Sequence, residues 1–171
     1  MNQPVVEPAP GRLVLDLSEK GLRRAIELFF FAYRDFTQEA DALLAHYGFG
    51  RAHHRVIYFV GRHPGMSVSE LLAILKITKQ SLSPVLGQLV RDGFIVQRPD
   101  PADRRRRRLH LTAEAEALEQ QLTTRQARRI TAAFEEAGEE AACGFTHVLL
   151  ALINREDRQH LEVAQSPRQP A

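Results

Sequence analysis

Five consecutive arginines, Arg104 to Arg108, are the residues best equipped for chemistry in this chain of 171. A guanidinium is always charged and planar, and its fork of donors fits phosphate oxygens. A charge run by itself usually means a solvated stretch. This one lies between an apolar triplet, Phe94-Ile95-Val96, and the alternating Leu109-His110-Leu111. That context predicts a β-hairpin with the first arginines at its tip and the last ones on its return strand. On the return strand Leu109 and Leu111 share one face, while Arg106, Arg108 and His110 share the other. An arginine at such a tip can enter a narrow minor groove, and its neighbours can hold phosphates and make binding steeply salt-dependent. Double-stranded DNA is the expected partner.

The elements that would position these arginines lie directly upstream. Ser67 and Glu70 have the spacing of a capping box and predict a helix over 68–75. Thr78 is the N-cap of the next helix, which runs to about Arg91 and ends at Asp92-Gly93. In that second helix Leu82, Val85, Leu86 and Leu89 recur on one face, and Gln80, Ser83, Pro84, Gly87 and Arg91 occupy the opposite one. A helix-turn-helix followed by a β-wing results. Gln80 is the one good reader of a base edge, because a glutamine amide pairs bidentately with adenine. Thr78, Lys79 and Ser81 suit phosphates at a helix N-terminus. Pro84 is out of place inside a helix, and with Gly87 it leaves the groove face sparse. Direct base readout is therefore expected to be thin, with specificity leaning on DNA shape and on the wing.

The flanks of this lobe are helical. A long helix starts at Ser18 and runs up to Gly48, with an all-round apolar stretch over 28–32. A second helix covers 51–62. Thr112 caps a helix to about Gly138, and a last helix runs from Glu139 to Arg155 with Phe145, Val148, Leu149, Leu152 and Ile153 on one side. The expected fold is mainly α with a small β-wing. Its organisation is a tail over 1–12, dimerisation helices over 18–48 and 113–156, a winged helix-turn-helix lobe over 50–112, and a tail over 160–171. The apolar Phe29-Phe30-Phe31 segment and the Phe145/Leu149/Leu152 stripe need partners that one small winged helix cannot fully supply, so a homodimer is expected.

Composition agrees. The formal net charge is only +2 although the pI is about 9.0, so the basicity is local, as suits one DNA face. The lone Cys143 excludes an internal disulfide framework and fits a reducing compartment; between Ala142 and Gly144, near Glu139 and Glu140, it reads as a buried packing cysteine. No apolar run has the length to span a bilayer, and Met1-Asn2-Gln3-Pro4 does not begin a secretory signal, so a cytoplasmic location without a membrane partner is expected. There is no P-loop, nucleophile elbow or paired-histidine metal motif; no catalytic residue, metal or cofactor is expected.

Ser67 to Leu75, Thr78 to Gly93, and above all Asp100-Pro101-Ala102-Asp103-Arg104-Arg105 followed by Leu109-His110-Leu111-Thr112 resemble the MarR-family regulators. Gly50 to Val56 and Thr78 to Leu82 look like the PetP-like subgroup of that family. The resemblance implies a homodimer whose first and last two helices intertwine, each subunit presenting one winged helix to half of a palindromic operator. It implies that Asp103 orients the wing, that Arg105 is the minor-groove finger among Arg104, Arg105, Arg106 and Arg107, and that Gln80, Ser83 and Pro84 meet bases. It also implies a small-ligand pocket for an effector, for which Phe31, Arg34, His53, His54 and Tyr58 are candidates. Arg34 is the best partner for a carboxylate, and the competing reading pairs it with Asp35 or Glu39. Against this stands an architectural DNA-binding protein without an effector.

Overall fold

The computed structural model describes residues 16–162. The tail expected over 1–12, and 163–171 of the tail expected over 160–171, lie outside the described residues. The chain divides inside its first helix into two compact units, Met1–Phe36 and Thr37–Ala171.

The first unit holds most of α1 (Glu19–Ala45). Ser18 caps the helix as its sequence suggests: the Gly21 N–H donates to its Oγ at 3.2 Å. Leu22, Ile26, Phe29, Phe30 and Phe31 are all exposed within the single chain. That is a large apolar surface for water to cover, and such surfaces mark contact sites.

The second unit contains the end of α1, then α2 (Arg51–Arg62), β1 (Met66–Ser67), α3 (Val68–Leu75), α4 (Lys79–Arg91), β2 (Ile95–Pro99), β3 (Arg107–Leu111), α5 (Ala113–Ala137), α6 (Glu139–Leu152) and α7 (Arg155–Glu162). The strands form one antiparallel sheet in the order β1-β3-β2, with Met66 opposite Leu109 and Arg98 opposite Arg108. Leu44, Ile57, Leu71, Leu89, Leu109 and Leu118 are fully buried and come from six different elements. Each such side chain contributes about 1.5–3 kcal/mol on burial, so helices and wing share one core.

Local chemistry sets the element ends. The Glu70 N–H donates to Ser67 Oγ at 3.2 Å and the Ser67 N–H returns a bond to Glu70 Oε2 at 2.6 Å, completing the capping box of α3. Thr112 caps α5 by accepting from the Ala115 N–H. Gly93, at φ +79°, makes the turn from α4 into β2 in a conformation that disfavours any residue with a Cβ.

Four expectations need correcting. The first helix ends at Ala45, three residues early, because residues 46–48 form a turn. The two-residue strand β1 was not foreseen. The expected single helix from Glu139 to Arg155 is two: Ile153 is extended (φ −76°, ψ 132°), and α7 starts at Arg155 and occupies 160–162, the start of the expected tail. Cys143 is exposed rather than buried, because α6 buries none of its residues within the single chain.

Candidate nucleic-acid interface

The interface is assembled around α4. Leu82, Leu86 and Leu89 point into the core, which turns Lys79, Gln80, Ser83 and Pro84 outward. Thr78 caps the helix: the Ser81 N–H donates to its Oγ1 at 3.1 Å, and the two hydroxyl oxygens lie 3.0 Å apart. Two of the three residues expected to hold phosphate, Thr78 and Ser81, therefore also build the helix start. Thr78, Lys79, Gln80 and Ser83 line a surface depression of about 400 Å³. The exposed N-terminus of α4 adds its partial positive charge at this place.

The rotation of α4 is fixed from behind by His53. Its ring stacks on Phe49 at 4.9 Å, its Nδ1 accepts from the Gly50 N–H at 3.1 Å, and its Nε2 lies 3.0 Å from Gln88 Oε1. Because Nδ1 accepts, the neutral ring carries its proton on Nε2 and donates it to the Gln88 amide oxygen. Gln88 lies in the last turn of α4, so this bond ties the helix to the start of α2.

The wing is a hairpin whose five arginines do different work. Asp100 is buried at its neck, 4 % exposed, whereas the other acids among the described residues are exposed or partly so. Its Oδ1 accepts from the Ala102 N–H at 2.9 Å and its Oδ2 from Arg108 Nε at 2.7 Å. The backbone bond from Ala102 and then Arg108 hold its carboxyl below the usual aspartate value. Arg108 also donates to the Gly65 carbonyl at 3.0 Å and lies 3.8 Å from Glu70 Oε2. One guanidinium therefore joins the wing neck, the loop before β1 and the first turn of α3. At the tip Asp103 Oδ1 accepts from the Arg105 N–H at 3.0 Å, the Asp103 carbonyl accepts from the Arg106 N–H, and the Arg106 side chain leans back on Asp103 at 3.6 Å. Arg104, Arg105 and Arg107 are exposed, and among the described residues their side chains have no hydrogen-bond or ion-pair partner.

Sequence reasoning missed Asp100, Arg108 and Gln88. The signal for the first pair was the hairpin register itself: Pro99 opposite Arg107 leaves Asp100 at the neck beside the return strand.

The ligand candidates belong to two different units. Phe31 and Arg34 belong to the first unit, where the Arg34 guanidinium sits 4.9 Å over the Phe31 ring and its Nε is 2.8 Å from Asp35 Oδ1. The ion pair with Asp35 is the competing reading of Arg34. Glu39 pairs with Arg128 and Arg129 instead. His53, His54 and Tyr58 lie on α2. Burial holds the half-buried His54 below the usual histidine pKa, with Arg55 adding to the effect and Asp41 and Glu119 opposing it. Tyr58 meets Phe59 edge to face at 5.3 Å. Among the described residues no helix is long and apolar enough to cross a membrane, and no three metal-ligating side chains converge.

A helix-turn-helix that exposes the polar start of its second helix and is followed by a basic β-wing defines the winged-helix class of DNA-binding folds. Comparison with known proteins narrows this. A family model for the MarR family matches residues 47–106, the lobe from the end of α1 to the wing tip. The HTH-type transcriptional regulator PetP of Rhodobacter capsulatus is 42% identical over 153 residues, covering 90% of this chain and 92% of the relative. The HTH-type transcriptional repressor YetL of Bacillus subtilis is 26% identical over 137 residues, 77% of this chain and 81% of that one. Among solved structures, Streptococcus pneumoniae FabT in complex with DNA superposes with a TM-score of 0.70 at 19% identity, covering 84% of this chain and 99% of that chain. The chain belongs to the MarR family, and its likeness to PetP supports the PetP-like subgroup.

Proposed function

We propose that this MarR-type transcriptional regulator acts in the cytoplasm, without catalytic activity, as a homodimer on a palindromic operator. Each subunit places α4 in the major groove and its wing in the minor groove of one half-site. Gln80 reads a base edge, Ser83 and Pro84 lie against bases with little polar contact, and Thr78, Lys79 and Ser81 hold the backbone. Asp103 orders the wing tip, Arg105 enters the minor groove, and Arg104, Arg106 and Arg107 line the phosphates. The helices of 18–48 and 113–156 join the subunits through the apolar surface of Phe29, Phe30 and Phe31 and of Phe145, Val148 and Leu152, all exposed in the single chain. A small-molecule effector meets some of Phe31, Arg34, His53, His54 and Tyr58; His53 is the member with a direct bond to the recognition helix.

The observation that carries this reading is the division of labour in the wing. Asp100 and Arg108 fix the hairpin neck, and Arg104, Arg105 and Arg107 are left exposed and unpartnered among the described residues. A solvated charge run has no such scaffold. The architectural alternative draws on one feature, the small and non-polar Pro84 at the centre of the groove face.

The test is binding of the purified protein to its own promoter region and to a scrambled duplex of equal length, over a range of salt. A specific regulator prefers the promoter by about a thousandfold or more at physiological salt. Equal affinity for both duplexes establishes the architectural role, and no binding to either overturns the DNA-binding reading.

A further inference from the structure

The short helix α7 touches the DNA-reading lobe at a sensitive place. Lys76 is the C-cap of α3 and sits in the turn between the two helices of the helix-turn-helix, in the left-handed conformation (φ 50°). Two residues later Thr78 begins α4. The Lys76 ammonium lies 2.6 Å from Glu156 Oε1 and 2.9 Å from Asp157 Oδ2, both in the first turn of α7 and eighty residues further along the chain. The two carboxylates hold its pKa above the usual lysine value. At its other end α7 meets the lobe again. His160 lines a cavity of about 490 Å³ together with His63, Met66, Glu70, Ile74 and Arg108, the residue that anchors the wing. The helix is thus seated against both the helix-turn-helix turn and the wing base.

A lysine in that turn, next to the positive N-terminus of α4, is placed to meet a phosphate. Here two of its three donors are spent on carboxylates. The local charge of the cluster is −1 where the lysine alone would give +1. A phosphate approaching this turn meets repulsion and must compete for the ammonium. The ion pairs are solvent-accessible, with Lys76 46% and Glu156 71% exposed, so they are weak enough to be displaced.

We propose that α7 is an autoinhibitory clamp: Glu156 and Asp157 withhold Lys76 from the DNA backbone, which the lysine meets only once α7 has moved away. This rests on the reading that α4 faces DNA. Its effect is to lower basal affinity and to make whatever moves α7, including occupancy of the cavity beneath His160, a control on DNA binding.

The test uses four forms of the full chain: unaltered, E156Q/D157N, K76A and the three changes combined. Each is titrated with the promoter duplex between low and physiological salt, after circular dichroism and sedimentation confirm unchanged folding and assembly. The clamp predicts that E156Q/D157N binds about two- to fivefold tighter per lobe, the range an exposed ion pair commands, with a salt slope steeper by about 0.9 per lobe from one more phosphate held. It predicts further that K76A changes the unaltered protein little and abolishes the gain in the E156Q/D157N background. Equal or weaker binding by E156Q/D157N overturns the clamp, and so does a gain that survives K76A, since that would be general charge relief. If the unaltered protein binds no DNA, the reading of α4 fails and the clamp with it; binding that is intact but insensitive to all three changes removes the clamp alone.

Discussion

Pro84 offers a sharp test of how α4 trades stability against its task. It is the sixth residue of the helix, so a residue with an N–H at that place would donate to the carbonyl of Gln80. Proline in a helix interior costs about 3 kcal/mol, from the missing bond and the clash of its ring with that carbonyl. Two features reduce the penalty here. Gln80 is exposed, so its carbonyl reaches water; and proline restricts the unfolded chain, an advantage of about 0.4–1 kcal/mol that Pro84→Ala gives up. The net gain expected for Pro84→Ala is about 1–2 kcal/mol, which for a chain of this size raises Tm by about 2–8 °C. Urea denaturation at fixed protein concentration should show a higher midpoint with an unchanged slope. Affinity for the promoter should fall at the same time, because the pyrrolidine ring proposed to lie against the bases is lost. A lower midpoint for Pro84→Ala would refute the claim that the proline strains α4. A higher midpoint with unchanged DNA affinity would refute its functional role.

How far the sequence disclosed this arrangement depends on the range of the interactions involved. The starts of α3 and α4 were legible to the residue because Ser67, Glu70 and Thr78 bond to N–H groups three positions away. The apolar face of α4 was legible because burial repeats with the helical period. Strand β1 was hidden, since two residues cannot display alternation and its existence depends on Leu109 opposite Met66. The Asp100–Arg108 pair was hidden for a related reason. Five arginines look alike in one dimension, and only the hairpin register decides which of them turns inward. The break before α7 did leave a readable trace: Asn154, a good N-cap residue, is followed by Glu156 and Asp157 in a first turn where acids are favoured. The apolar periodicity across 148–153 outweighed it. The partners of His53 were hidden because its two nitrogens reach both its own helix start and a residue 35 positions away.

Two further outcomes follow from the wing. Asp100 and Glu70 both have carboxyls held below their usual values of 3.8 and 4.5, Asp100 by the Ala102 N–H and Glu70 by the Ser67 N–H. Groups depressed in this way stabilise the fold above their unfolded values and lose that contribution as pH falls through the folded ones. The unaltered protein should therefore weaken as pH drops below about 4.5, and Asp100→Asn, tested by urea denaturation between pH 3 and 7, should show a flatter decline; identical profiles would remove Asp100 from the wing neck. The arginines separate by partner. Changing Arg104, Arg105 or Arg107 to alanine should leave Tm within about 1 °C, since surface substitutions away from special features shift stability little. The same change should reduce the salt slope of DNA binding by about 0.9 for each phosphate that a wing no longer holds. Arg108→Ala should do the reverse in kind: it strips Asp100 of its ion pair and the Gly65 carbonyl of a donor, so Tm falls. Its affinity then drops through loss of wing geometry, with the charge it removes never having faced the DNA. Equal Tm for Arg105→Ala and Arg108→Ala would mean that the five arginines form one undifferentiated cationic patch, and the scaffold argument for a DNA-reading wing would fail.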